Sequence, residues 1–162
     1  MKINSGIKNK KTLLILIQII LFIVIACSLP RIVILDDTLS PIEHLNLGVI
    51  YEKKGEYDNA LVEYKKASTK ISLALFYIGN IYFLKGEYDL AEKYYKETIK
   101  RDPLNADAHN NLAWLYYITK RNLNEAESLV IKAIELNSEN KDIYDDTLLR
   151  IREMKEKDNI FN

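Results

Sequence analysis

The sequence predicts an all-α fold: an α-solenoid of about three helix–turn–helix repeats and a C-terminal capping helix, preceded by a hydrophobic N-terminal helix. Three observations predict it. Lys54-Gly55-Glu56-Tyr57-Asp58-Asn59-Ala60 returns almost letter for letter as Lys85-Gly86-Glu87-Tyr88-Asp89-Leu90-Ala91, 31 residues on. Small residues and tyrosines recur around both copies at helical spacing. A continuous apolar run, Leu13–Leu29, stands apart from all of this behind a lysine-rich start. Self-similarity at such a period marks stacked units, none of which can bury its apolar face alone.

The net charge of zero hides a segregation of signs. Lys2, Lys8, Lys10 and Lys11 carry all the charge before Asp36, and the remainder is mildly acidic. A nucleic-acid partner would call for a basic face, and none is present. One cysteine excludes an internal disulfide framework and cysteine-based zinc sites. The Lys-, Ile-, Asn- and Tyr-rich usage suggests an A+T-rich bacterial genome.

The basic residues before the apolar run keep its N-terminal end on the cytoplasmic side, so the rest of the chain faces outward. From Leu13 to Leu29 the run spans about 25 Å as a helix, short of the roughly 30 Å of a bilayer core. Leu13 to Ala26 matches a secretory h-region in length. Val24-Ile25-Ala26-Cys27 at its end resembles the bacterial lipobox. That resemblance implies cleavage before Cys27, lipidation of its thiol and anchoring by two or three acyl chains, which hold a membrane firmly where one does not. The alternative is an uncleaved signal-anchor helix in which Cys27 is an ordinary apolar residue. Both attach the protein to a membrane on its extracytoplasmic side, inner or outer membrane being left open.

Past the linker, Ser40-Pro41-Ile42-Glu43 reads as a helix start, with Ser40 as N-cap, Pro41 at N1 and Glu43 completing a capping box. The first unit runs through Leu45, Leu47, Gly48 and Tyr51 to Gly55, a C′ residue needing positive φ, then through Tyr57, Ala60, Leu61, Tyr64 and Ala67. The second repeats this with Leu75, Ile78, Gly79, Tyr82 and Gly86, then Tyr88, Ala91, Tyr95 and Ile99, ending at Asp102-Pro103. The third has Leu112, Ala113, Trp114 and Tyr116, then Ala126, Leu129, Ala133, Ile134 and Leu136. Gly48, Gly79 and Ala113 fall where paired helices cross closely, with Ala60, Ala91 and Ala126 expected opposite them.

These positions resemble the tetratricopeptide repeat. The first unit is three residues short, at Ser68–Ser72. The third has one residue extra in its turn, Lys120-Arg121-Asn122, where Asn122 is the residue best suited to the left-handed conformation. The boundaries read as a basic and hydrophobic segment at 1–29, a linker at 30–40, repeats at 41–71, 72–105 and 106–140, a capping helix at 141–157 and a fraying tail at 158–162. In the capping helix Ile143, Tyr144, Thr147, Leu148, Ile151 and Met154 are spaced for one face.

No catalytic constellation, phosphate loop or cofactor motif is written in the chain, so the expectation is a non-enzyme without cofactor or metal. His44 and His109 sit two units apart, too far to share a metal. The resemblance implies a concave groove lined by the second, fifth, ninth and twelfth positions of each first helix. These are Ile42, Leu45, Val49 and Glu52; Leu73, Phe76, Asn80 and Phe83; and Asp107, Asn110, Trp114 and Tyr117. Such an apolar and aromatic lining suits a protein or peptide with hydrophobic anchors rather than a small-molecule substrate. Asn80 and Asn111 match the two amides with which some members of the family clamp a carboxylate, but the basic positions of that clamp hold Phe76, Asp142 and Asp146, which excludes it. The chain looks like small bacterial repeat lipoproteins that help assemble envelope complexes. The expectation is a membrane-attached, extracytoplasmic interaction scaffold; the alternatives are an inner-membrane single-span scaffold and an accessory subunit of an envelope enzyme.

Overall fold

The computed structural model describes residues 10–28 and 37–161, with side chains at 13–23 and 37–158. The chain divides into two units, Met1–Asp37 and Thr38–Asn162. The first contains α1 (Lys10–Ser28), whose side chains from Leu13 to Ile23 are all exposed. Among the described residues no helix is long and apolar enough to cross a membrane, so the single-span alternative finds no such helix there. The side chains of Val24, Ile25, Ala26 and Cys27, with residue 29 and linker residues 30–36, lie outside the described residues.

The second unit is built of α2 (Pro41–Lys53), α3 (Tyr57–Ala67), α4 (Leu73–Leu84), α5 (Tyr88–Arg101), α6 (Ala106–Thr119), α7 (Leu123–Leu136), a 3-10 turn at Ser138–Asn140 and α8 (Lys141–Phe161). Helices α2 with α3, α4 with α5 and α6 with α7 form three pairs, and each pair stacks on the next through its second helix. The start of α2 is fixed as the sequence predicts. Ser40 N–H donates to the Glu43 carboxylate at 2.7 Å, and Glu43 N–H returns a bond to Ser40 Oγ at 3.4 Å. The bonds from Ser40 hold the Glu43 carboxyl below its ordinary range. The shortening of the first unit shows as a helix: α3 ends at Ala67 after 11 residues, where α5 runs for 14.

The turns inside the three pairs share one closure. Glu56 N–H donates to the Tyr51 carbonyl and Gly55 N–H to that of Glu52, both at 2.9 Å. Glu87 and Gly86 repeat this on Tyr82 and Phe83, at 2.9 and 3.0 Å. This two-bond termination requires a left-handed residue at its centre, and Gly55 (φ 76°) and Gly86 (φ 75°) supply it. In the third turn Arg121 N–H reaches the Tyr116 carbonyl at 2.9 Å and Lys120 N–H that of Tyr117 at 3.1 Å. Lys120 (φ 52°) therefore stands where the glycines stand. Asn122 is left-handed too (φ 48°), as expected, but it is the inserted residue and not the replacement for glycine.

Packing within each pair is set by a glycine against a tyrosine. A Cβ on Gly48 would lie 2.5 Å from the ring of Tyr64, and one on Gly79 would lie 2.7 Å from the ring of Tyr95. The atoms nearest both glycines are thus those of tyrosine rings, with Ala60 and Ala91 fully buried one turn before those tyrosines. In the third unit both partners change. Ala113 replaces the glycine, and Val130, in register with Tyr64 and Tyr95, replaces the ring; both are fully buried in one core cluster. A larger residue on one helix is matched by a smaller one on the other.

The capping helix buries Tyr144, Thr147 and Ile151, with Leu148 and Met154 half-buried. Ile143 is not part of that face: it is 63% exposed, because the i, i+3, i+7 strip starts one residue later at Tyr144. The backbone also stays helical to Phe161, past the end at Lys157 expected from sequence.

Two outcomes follow for stability. A non-glycine residue in the left-handed region costs ~1–2 kcal/mol, partly offset by the ~0.5–1 kcal/mol that glycine loses in chain entropy. Lys120→Gly should therefore raise the denaturation midpoint, by about 0.5–1 kcal/mol with an unchanged denaturant slope. Gly79→Ala gains helix propensity but drives a Cβ into a fully buried ring, and overpacking of that kind costs ~1–3 kcal/mol. It should destabilise the domain, and its cost should nearly vanish in a Tyr95→Val background, as a double-mutant cycle would read.

Candidate functional site

The first helices of the three pairs, α2, α4 and α6, lie side by side and leave a cavity of about 290 Å³ between them. Glu52, Asn80, Phe83, Leu84, Tyr95, Asn111 and Trp114 line it. A second depression of about 560 Å³, bordered by Val49, Lys53, Tyr57 and Tyr77, shares Glu52 and Leu84 with the first. The two are neighbouring compartments of one groove. Toward its other end Trp114 rests on Tyr117, ring centroids 5.0 Å apart. Tyr117 borders a further hollow with Lys120, Arg150 and Met154, where α6 faces α8.

The floor of the central cavity is held by phenol hydroxyls coming up from the core. Tyr95 Oη–H donates to Asn80 Oδ1 at 2.9 Å, and Asn111 Nδ2–H donates to the same oxygen at 3.0 Å. Tyr64 Oη–H donates to Glu52 Oε2 at 2.5 Å. Burial pushes both phenols far above their ordinary range, and for Tyr64 the bonded Glu52 carboxylate pushes further in the same direction. Both hydroxyls are therefore permanent donors. Asn80 is thereby locked with its oxygen inward. Its Nδ2 and the Oδ1 of Asn111 bond to no described residue, so the two amides lining the cavity retain a donor and an acceptor.

The structure sorts the twelve positions read from the sequence by their place in the helix. The fifth positions are buried: Leu45 at 6%, Phe76 at 9% and Asn110 at 8% exposure. Phe76 is taken up by the seam between units, 6.1 Å from the Tyr95 ring and in one core cluster with Ala108 and Leu112 of the next pair. These three residues, expected to line the groove, belong instead to the core. The ninth and twelfth positions do face the groove and its hollows: Val49 and Glu52, Asn80 and Phe83, Trp114 and Tyr117. Ile42 and Leu73 are exposed but line none of these compartments. Asp107 accepts from Tyr144 Oη–H at 2.7 Å. Sequence reasoning passed over Leu84 and Tyr95. Leu84 closes a helix that is apolar almost all round, so no polar–apolar pattern marks it out.

Nothing in the groove assembles a charge clamp. Phe76 is buried, Asp142 is exposed, and Asp146 is paired with Arg150 at 2.7 Å. The histidines are spoken for structurally. His44 Nδ1 lies 2.5 Å from the Glu63 carboxylate, and His109 Nε2–H donates to the Pro103 carbonyl at 3.1 Å. His109 Nδ1 and Asn110 Oδ1 are buried acceptors with no partner among the described residues. Among those residues no group of three His, Cys, Asp or Glu side chains could hold a metal ion.

This helical arrangement has known counterparts. The first tetratricopeptide-repeat domain of Spaghetti (RPAP3), solved bound to the HSP90 peptide SRMEEVD, superposes with a TM-score of 0.65 at 19% identity, over 73% of this chain and 94% of that one. A chain of the APC/C hetero-tetramer Cut9–Hcn1 superposes with a TM-score of 0.62 at 19% identity, over 70% of this chain and 24% of that one. No curated protein matches the sequence. Models of the tetratricopeptide repeat match residues 44–69, 72–105 and 94–128. The first two spans follow the first two helix pairs and the last runs from α5 through α6 into α7, and the chain belongs to the tetratricopeptide-repeat family.

Proposed function

We propose that this protein is a non-catalytic scaffold that binds a segment of a partner protein in the groove between α2, α4 and α6. Its N-terminal segment holds it to the extracytoplasmic face of a bacterial membrane. The groove reading is carried by one observation. Phe83, Leu84 and Trp114 line a cavity whose polar atoms, Asn80 Nδ2 and Asn111 Oδ1, are held by the core yet unused by it. An extended peptide needs that combination: apolar pockets for its side chains, and a donor and an acceptor for its backbone. Scaffolding without catalysis is what tetratricopeptide repeats generally do.

Membrane attachment is supported by the sequence: the lysine cluster, the apolar run and the lipobox-like Val24-Ile25-Ala26-Cys27. Between a lipid anchor on Cys27 and an uncleaved helix, the lipobox and the short run favour the lipid. The resemblance to small repeat lipoproteins extends this to a role in assembling an envelope complex.

Both halves are open to direct measurement. A photo-crosslinking amino acid placed at Phe83 should capture a partner in the producing cells, while the same group at Ile131, exposed on α7, should not. Trp114→Ala should weaken that capture by about 2 kcal/mol in affinity, the scale of an aromatic anchor. Equal capture at both positions, or none at Phe83, would refute the groove. The intact mass of the membrane-extracted protein should begin at Cys27 with added acyl chains and lose them in Cys27→Ala. A full-length unmodified mass in both would rule out the lipid anchor.

A further inference from the structure

We infer that the central cavity takes a lysine or arginine side chain, presented by a partner segment with apolar residues on either side. This rests on the groove reading above and adds to it the chemistry of the partner.

The inference starts from Glu52. It is the one ionisable carboxylate lining the cavity, and it stands on the wall shared by both compartments of the groove. It is half-buried, against a lining otherwise made of Phe83, Leu84, Trp114 and amides. Its only bond is from the neutral hydroxyl of Tyr64, and no cation of the described residues lies within ion-pair distance. Lys53, next along the chain, is exposed at the border of the second compartment and forms no ion pair with it. Most other half-buried acids carry an ion pair, the exception being Asp102, whose carboxylate accepts from Leu104 N–H at 3.2 Å. Glu92 is paired with Lys96 and Arg121, Glu127 with Arg152 and Lys155, and Glu63 with Lys66. Glu52 is left uncompensated in a groove whose walls reduce its hydration.

A carboxylate has about four acceptor sites on its two oxygens, and Tyr64 fills one of them. A cation in the cavity would complete the set, and Asn111 Oδ1 offers it a second acceptor. The stem of a lysine or arginine is apolar and lies well along Phe83 and Leu84 while the head is held by charge. Trp114 adds a ring face, which attracts cations. A glutamate or aspartate in the same place would face Glu52 with like charge. At the twelfth position the first unit carries Glu52 where the other two carry the aromatic residues Phe83 and Tyr117. The charge therefore stands between the two compartments, at one of the three repeats only, and gives a bound segment its register.

The experiment is selection of a random library of peptides about 12 residues long on the full-length protein in detergent micelles, alongside Glu52→Gln and Trp114→Ala. Enriched peptides should carry a lysine or arginine between apolar residues. Glu52→Gln should keep the apolar preference but lose the basic one. Binding of a selected peptide should then fall by roughly tenfold, the scale of one hydrogen bond to a charged group, and lose most of its salt dependence. Apolar peptides without a base, enriched equally by the protein and by Glu52→Gln, would overturn this inference while leaving the groove standing. Enrichment unaffected by Trp114→Ala, or no enrichment at all, would remove the groove reading and this inference with it.

Discussion

The fold depends on how closely two helices can approach, and a bare Cα decides it. At Gly48 and Gly79 the tyrosine of the partner helix lies flat on backbone, leaving no room for even a methyl group. The pair can then close around one large ring instead of many small side chains. The ring also fills the space facing the next unit, where Tyr64 stacks on Tyr77 with centroids 5.2 Å apart. One contact thus sets both the crossing within a unit and the seam between units. The third pair reaches the same closeness by another route, with alanine and valine, because the constraint is on combined volume and not on either residue.

Filling a core with tyrosine creates an obligation, since a buried hydroxyl left unbonded costs as much as the ring gains. Each of the four fully buried tyrosines meets it at the edge of the core. Tyr64 bonds Glu52, Tyr95 bonds Asn80, Tyr116 bonds Glu92 at 3.0 Å and Tyr144 bonds Asp107. Two of these acceptors lie on the groove. The polar side chains on the groove are therefore positioned by the same bonds that make the interior tolerable. This is why a shallow groove on short helices can be stiff.

Much of this was legible because local rules are written in local residues. Ser40-Pro41-Ile42-Glu43 is a helix start by itself, and Gly55 and Gly86 announce their turns. The register of the repeats followed from one seven-residue echo. Lys120 was not legible, since lysine has no preference for the left-handed region, and the better-suited Asn122 stands two positions on in a turn with an added residue. The fifth positions were misplaced for a different reason. Leu45, Phe76 and Asn110 stand on the helix flank between groove and seam, and which side claims them depends on the angle between successive units, a quantity no single helix encodes. Ile143 failed by one residue, as apolar strips do when the helix start is displaced by a 3-10 turn.

The oxygen of Asn80 has a mechanical meaning. It accepts from Tyr95 in its own unit and from Asn111 in the next, so it is a rivet through the joint between the second and third repeats. The free face of the same amide group borders the groove. A contact made to Asn80 from the groove side would bear on the same amide, and so on the joint between those two repeats.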